Sequence, residues 1–438
     1  MLIVADDELD SLQFTQLIQR AAAAPAERAL PLLDQALALW RGAPYGGLHD
    51  LEEIKVEAAT LQEATLLVSR IARIEPGHAA PLVELCARLP LALRVAGARL
   101  VTRPGWTPEV LAARLTEERR LDELRVGDLD VRASLEAGYQ DLPDAERVLF
   151  ERLGLLPVPT FTAWMAAALL MVPVSTGGDL LERLAERQLL QSEGLDVAGQ
   201  ERYRFHDLIR LLARERAGNG PVQDTVRDRF LSCLLALAKD ACARDEYRGG
   251  FRLLDSGAPH WRPRGRVLPD EPMRWMAAER ETLIAGIRHA AERGHAAMCW
   301  DLALAGVRLF EIHGRFVDWE QTSQLALRVC RDHGETQGAG AMLASLCAVE
   351  AFRYRREKAL ALAEEALPLL GESSIKALTL ANLSAAELAL GDAEAALAHL
   401  TQAVSMAARV GDALSEAVLL QAQRPLTAEG LSAHEPRM

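Results

Sequence analysis

Four lysines, Lys55, Lys239, Lys358 and Lys376, are scattered through 438 residues, and none of them follows a glycine. A phosphate-cradling loop of the form GxxxxGK[ST] neutralises phosphate with backbone N–H groups and that lysine, so the sequence contains no such loop. His206, between Phe205 and Asp207, is the sharpest single candidate for a chemical role. Its bland reading is a residue that ends a strand and hydrogen-bonds locally. Asp6 and Asp7 form an acidic pair after the apolar run Leu2–Ala5, and three readings compete for it. A receiver domain would bind a metal there, beside a phosphorylated aspartate, but needs a lysine near its fifth strand; none lies between Lys55 and Lys239. A Walker B strand would hold Mg²⁺ and needs the absent phosphate loop. The favoured reading is a surface strand leading into a helix.

No serine nucleophile elbow, HExxH motif or EF-hand loop is found, and the ten histidines do not cluster with the cysteines. Cys86, Cys233, Cys242, Cys299, Cys330 and Cys347 form no CxxC pair and lie in apolar helical stretches. That is the pattern of buried cytosolic thiols, not of disulfides or zinc ligands. No metal site and no enzymatic activity are expected.

Half of the sequence is hydrophobic while only 5% is aromatic, with Ala and Leu dominant, which favours closely packed helices. The length allows three or four domains. A net charge of −13 argues against wrapping nucleic acid unaided. All but four of the 49 basic residues are arginines, a bias read as codon usage. The N-terminus lacks a basic, apolar leader and no apolar span reaches about 18 residues, so a cytoplasmic protein without a membrane contact is expected.

Helical periodicity runs from about residue 9 to 70. Phe14, Leu17 and Ile18 share one face; Leu30, Leu33, Leu37 and Trp40 a second; Ile54, Ala58, Leu61 and Val68 a third. Arg41–Gly47, rich in Gly and Pro, separates the second helix from the third. Further on, helices are expected over 144–154, 162–169 and 179–188, then strands over 189–193 and 202–205 joined by a Gly-containing loop. After the linker 218–221 the pattern is helical, apart from a Pro/Gly/Arg-rich loop at 256–272. A 37-residue offset superposes Leu343, Leu346, Ala359 and Ala366 on Leu380, Leu383, Ala396 and Ala403. That is the tetratricopeptide pattern, slightly long, with Gly391–Glu394 as its inter-helix turn. The arginines of 210–216 read as a solvated stripe. The helix at 179–188 carries Asp179, Glu182 and Glu186 against Arg183 and Arg187, and is not an evident DNA reader.

Residues 10–18, 36–42, 48–51 and 57–63 resemble the bacterial transcriptional activator domain of SARP-type antibiotic regulators. Residues 78–100, with Arg88-Leu89-Pro90-Leu91-Ala92, resemble the helical part of the NB-ARC class of STAND nucleotide switches, with Arg88 where glycine is usual. Phe205-His206-Asp207 matches the place of that class's MetHisAsp signature at the base of its winged helix. Trp275–Leu283 and His313–Phe316 resemble the start of the family's repeats. The resemblance implies a mainly α protein. Its expected parts are an activator-domain fragment (1–65), a helical ARC-type subdomain (66–125), a winged helix (126–217), a tetratricopeptide-like solenoid (222–425) and a disordered tail (426–438). It further implies that an OmpR-like DNA-binding domain and the nucleotide-binding core are both missing.

By the same resemblance His206 would contact the β-phosphate of ADP, Asp207 would fix the local backbone and Pro90 would pack on adenine. Without the phosphate loop, no certain cofactor is expected and at most weak ADP or ATP binding. The implied role is transcriptional control of secondary metabolism through a protein partner held on the concave face of the repeats. DNA contact would require a winged-helix domain upstream or on a partner, and homo-oligomerisation is left open. Two alternatives stand beside it: a STAND-type signalling ATPase with an aberrant phosphate site, and a tetratricopeptide adaptor.

Overall fold

The computed structural model describes residues 64–432 except 66–67, 70–71, 73, 87–89, 104, 116–119, 127–128 and 246–253. The helical stripes and the acidic pair expected before residue 64 lie outside the described residues. Two compact units divide at Ala112/Ala113.

In the first unit, α1 (Pro76–Leu85), α2 (Pro90–Thr102) and α3 (Pro108–Arg114), whose end crosses the boundary, all open on proline. At the first helical position the missing N–H would have had no partner, and the fixed φ is already helical. Ala79, Leu82 and Val83 on α1 and Leu93, Val95 and Ala96 on α2 are buried. After α2, the Arg103 guanidinium lies over the Trp106 ring at 4.5 Å.

The second unit begins earlier than the expected boundary at 126. A short helix, α4 (Arg120–Glu123), and the two-residue strands β1 (Arg125–Val126) and β2 (Leu129–Asp130) lead into α5 (Val131–Gln140). Arg132 on α5 pairs with Asp122 at 2.9 Å and with Glu215 at 2.5 Å, which ties this segment into the second unit.

Next come α6 (Asp144–Gly154), α7 (Ala163–Leu170) and α8 (Val174–Glu186), then the hairpin β3 (Gln191–Leu195) and β4 (Glu201–Arg204), then α9 (Asp207–Ala217). Phe161 and Tyr203 exchange backbone hydrogen bonds of 2.6 and 2.9 Å, adding a minimal third strand. Three helices and an antiparallel hairpin in this order make a winged helix. Its α8 starts five residues before the expected 179, through Val174-Ser175-Thr176-Gly177-Gly178. Two adjacent glycines suggest a loop, but a Cβ on Gly177 would stand 2.6 Å from the Ala163 carbonyl, so the close crossing of α7 and α8 requires glycine.

The remainder is a helical solenoid: α10 (Pro221–Ala243), α11 (Pro272–Ala278), α12 (Arg280–Glu292), α13 (Ala296–Ile312), α14 (Phe316–His333), α15 (Thr336–Phe352), α16 (Arg356–Ala366), α17 (Ser374–Leu390), α18 (Ala393–Arg409) and α19 (Ala413–Ser432). Leu343 and Leu346 lie on α15, and Leu380 and Leu383 occupy the matching turns of α17. Ala359 and Ala366 on α16 match Ala396 and Ala403 on α18, and all eight are buried. Gly334 and Gly391 end α14 and α17 in the left-handed conformation, with φ of 71° and 96°, which lets each chain reverse tightly. The tail expected to be disordered from 426 is helical as far as Ser432. Pro425 removes one helical hydrogen bond but does not end the helix, which Leu419 anchors against Leu400 and Met406.

The winged helix and the solenoid share a core. The Trp164 indole stacks on Phe230 at 5.8 Å and meets Trp275 edge-on at 6.0 Å. Its Nε1 donates to Glu279 Oε1 at 2.9 Å, and Arg202 of β4 donates to the same oxygen at 2.8 Å. Glu279 is 1% exposed and Arg202 7%. A strap from 254 to 271 crosses the junction. Gln200 donates to Val267 O at 2.7 Å, Val174 N to Arg264 O at 2.9 Å, and Arg262 makes a bidentate pair with Asp240. Removing one member of a buried ion pair strands the other, so Glu279→Ala should lower stability by about 3–5 kcal/mol in urea unfolding. The double variant Arg202→Met/Glu279→Leu should recover most of that loss.

Candidate functional site: the winged-helix base and the repeat groove

Phe205 is the anchor of the winged-helix base. Its ring meets Phe150 at 5.3 Å and Phe161 at 5.2 Å, both edge-on. The Arg210 guanidinium lies 5.5 Å over Phe161 and donates to Val158 O at 2.8 Å and Pro159 O at 2.9 Å. Burial pushes its pKa below the usual arginine value. His206, next in sequence, is half-buried with extended φ and ψ of −67° and 143°; its carbonyl accepts the Arg210 N–H at 2.9 Å. It is therefore the N-cap residue of α9. Asp207 is the exposed first residue of that helix, where a carboxylate complements the positive end of the helix dipole. Pro90 belongs to the first unit, where it opens α2; its side chain lies outside the described residues. Thus two of the three residues expected to hold a nucleotide sit together on one helix start, and the third has an evident backbone role.

The face of α8 has the composition of a closed surface. Leu180, Leu181 and Leu184 are buried. The cations Arg183 and Arg187 turn back onto Glu146 of α6 at 3.5 and 2.9 Å, and Glu146 is itself 4% exposed. Both arginines lean on one carboxylate of the same domain, and Asp179, Glu182 and Glu186 stand beside them, in keeping with the sequence reading of this helix as no evident DNA reader.

The solenoid carries a groove of about 150 Å³ lined from α10, α13, α14, α15 and α17. Leu304, Ala344, Ala348, Ile375 and Leu378 make an apolar floor, and Phe352 stands at its side with 48% of its surface exposed. At one end Arg308 binds Asp245 at 2.7 Å and Glu311 at 3.1 Å. Below the floor, Trp319 donates its Nε1–H to Ser345 Oγ at 2.7 Å and stacks with Phe316 at 6.4 Å. Sequence reasoning expected a concave face on the repeats but did not name its residues. The available signal was the run of small residues, Ala341, Ala344, Ser345 and Ala348, spaced to share one face of α15.

All six cysteines are unoxidised, and all but the half-buried Cys242 are buried. Burial pushes the thiols of Cys242, Cys299, Cys330 and Cys347 up to about 12, and Cys233 higher still. Among the described residues no single helix is long and apolar enough to cross a membrane.

Comparison with known proteins supplies the class. A family model described as the bacterial transcriptional activator domain matches residues 9–89, across the boundary expected at 65. The chain is a relative of the SARP/AfsR-type regulators. It is 34% identical over 349 residues to the regulatory protein AfsR of Streptomyces coelicolor, a match covering 76% of this chain and 34% of that one. Against the regulatory protein AfsR of Streptomyces griseus it is 37% identical over 280 residues, or 62% of this chain and 28% of the other. The matches thus span about a third of the relatives' length. A solved structure of a signal transduction ATPase with numerous domains (STAND) protein with a tetratricopeptide repeat sensor, from Pyrococcus horikoshii, covers 84% of this chain and 57% of that chain. Its identity is 15% and its TM-score 0.27, too distant a likeness to argue from.

Raised thiol pKa values keep the thiolate fraction of the folded protein negligible at pH 8, so a thiol-disulfide reagent should label these cysteines only after unfolding. Because the folded pKa lies above the unfolded value of about 8.5, this protonation-linked stability is fully present below about pH 8.5. It is lost as pH rises towards 12, and the urea midpoint should fall across that window.

Proposed function

We propose that this chain is a transcriptional regulator that acts by holding a protein partner in the groove of its repeats, without nucleotide hydrolysis of its own. The observation that carries the reading is the groove: an apolar floor with an exposed Phe352 on a rigid helical solenoid, as helix-in-groove and extended-peptide recognition both require. The matched activator domain and the regulatory relatives support the transcriptional side. Control of secondary metabolism belongs to the same proposal. The shared core between winged helix and solenoid gives a partner's arrival a path to the rest of the second unit, because the two cannot shift independently without breaking the Arg202–Glu279 pair.

The charge pattern narrows the partner. Asp245, Arg308 and Glu311 are satisfied among themselves, so a partner segment gains most by burying apolar side chains on Leu304, Ala344 and Phe352. Ala348 lines the groove and is only half-buried, so a long side chain there points to an available space. Ala348→Arg should leave thermal unfolding within about 1 kcal/mol of the parent, a surface-type change, while abolishing regulation in a promoter-reporter strain. Full regulation by a folded Ala348→Arg protein would refute the groove reading.

The nucleotide-switch alternative is favoured by one observation, the placement of His206 at the start of α9 on the Phe205 anchor. The sequence offers no lysine after a glycine to neutralise phosphates. Calorimetric titration with ADP should give a dissociation constant in the millimolar range or no heat, with no change in His206→Ala. Micromolar ADP binding that disappears in that variant would reverse the order of the two readings.

A further inference from the structure

A second concavity, of about 520 Å³, opens where the end of α6, the end of α9, the start of α10 and α12 converge. Its lining is cationic. Arg214, Arg227 and Arg293 face it against a single lining carboxylate, Asp224, in a protein whose net charge is −13. Asp224 accepts from Arg227 at 3.1 Å and from Arg293 at 2.8 Å, and Asp228 lies 3.5 Å from Arg293. Arg227 also donates to Asn219 Oδ1 at 3.1 Å and Arg293 to His295 Nε2 at 3.3 Å, and with five N–H donors on each guanidinium the two forks still keep donors to spare. His289 lines the same cavity with its side chain 14% exposed, and its Nε2 is buried without a hydrogen-bond partner. A buried imidazole nitrogen of this kind is costly unless something arrives to bond it.

The backbone adds to this. The loop Gly218-Asn219-Gly220 enters the 23-residue helix α10, whose N-cap is Gly220, with no side-chain cap, and whose first residue is Pro221. Gly218 holds a φ of +63°, in the left-handed region that glycine tolerates, and this turns the chain sharply out of α9. On the opposite rim, a Cβ on Gly154 would stand 2.6 Å from the Ala213 backbone, so glycine there lets the end of α6 close against α9 beside Arg214. The positive end of a long helix therefore faces a cavity ringed by guanidinium groups.

We propose that this cavity is a binding site for a phosphate dianion, free or as a small phosphate monoester. Forked guanidinium groups match the oxygen geometry of phosphate, and Nε2 of His289 supplies a further contact. Burial and the neighbouring Arg293 and Arg227 hold the His289 pKa below its ordinary value, and whether the neutral ring donates from Nε2 depends on its tautomer. The site is separate from His206 and from the repeat groove, and does not rest on the partner-binding reading.

Isothermal titration of the full chain with inorganic phosphate and with AMP, in chloride buffer at constant ionic strength, tests it. One site per chain is expected. Tighter AMP binding would identify a monoester as the ligand, and equal or tighter phosphate binding the free anion. Arg214→Gln, at an exposed position, and His289→Phe, which keeps the ring shape, should each weaken binding at least tenfold. Arg331→Gln, on α14 and paired with Glu365, should leave it unchanged. No saturable binding of either probe, or equal loss in Arg331→Gln, would overturn the proposal. Should His289→Phe fail to fold, Arg214→Gln alone decides the matter.

Discussion

One buried carboxylate organises the second unit. Glu279 sits at the turn between α11 and α12, yet its two oxygens are engaged by the wing through Arg202 and by α7 through Trp164. Burying an ion pair is expensive, and the mutual attraction repays desolvation only when the geometry is complete. Here it is nearly so: Arg202 is also held by Asp196 at 2.8 Å, and the Trp164 ring is fixed by Phe230 and Trp275. A polar cluster so placed selects one docking angle between winged helix and solenoid. Hydrophobic contact alone, which is non-directional, would tolerate several.

From that junction outward the order of the structure changes character. The repeats pack helix on neighbouring helix, with buried alanines where helices approach closely and glycine in the left-handed conformation where the chain reverses. The groove follows from this geometry. Small residues on α15 set the floor low, while the exposed Phe352 raises its side. The cationic cavity instead depends on chain ends, where the start of α10 leaves N–H groups without helical partners and where Arg214, Arg227 and Arg293 gather.

Much of this was legible in the sequence because it is local. The helix at 144–154, the hairpin near 191–204 and the equivalence of Leu343 with Leu380 all rest on periodicity and turn residues within a few dozen positions. His206 stands out by its likeness to a family signature after an expected strand, and the structure has it at the N-cap of α9 just after β4. What escaped was set by distant contacts. The helix expected from 179 begins at Val174, and the reason Gly177 stands in its first turns, the Ala163 carbonyl 2.6 Å from where a Cβ would be, is a contact with another helix. The tie between Arg202 and Glu279 joins residues 77 positions apart, and nothing in either neighbourhood announces it. The arginines near 210–216 read as a solvated stripe, and only the fold shows that Arg214 shares a cavity with Arg227 and Arg293.

The strap from 254 to 271 bears on how the chain acquires its structure during synthesis. The winged helix is complete in sequence at Ala217, yet Gln200 and Val174 find their backbone partners at Val267 and Arg264, and Trp164 finds its partners at Trp275 and Glu279. An emerging chain therefore waits for some sixty further residues before this core can close, several seconds at ribosomal speeds of about 5–20 residues per second. The later hairpins wait for almost nothing, since each docks on the one already made. Among the described residues, this core stays exposed while those sixty residues are made, and the repeats then grow by short and protected steps.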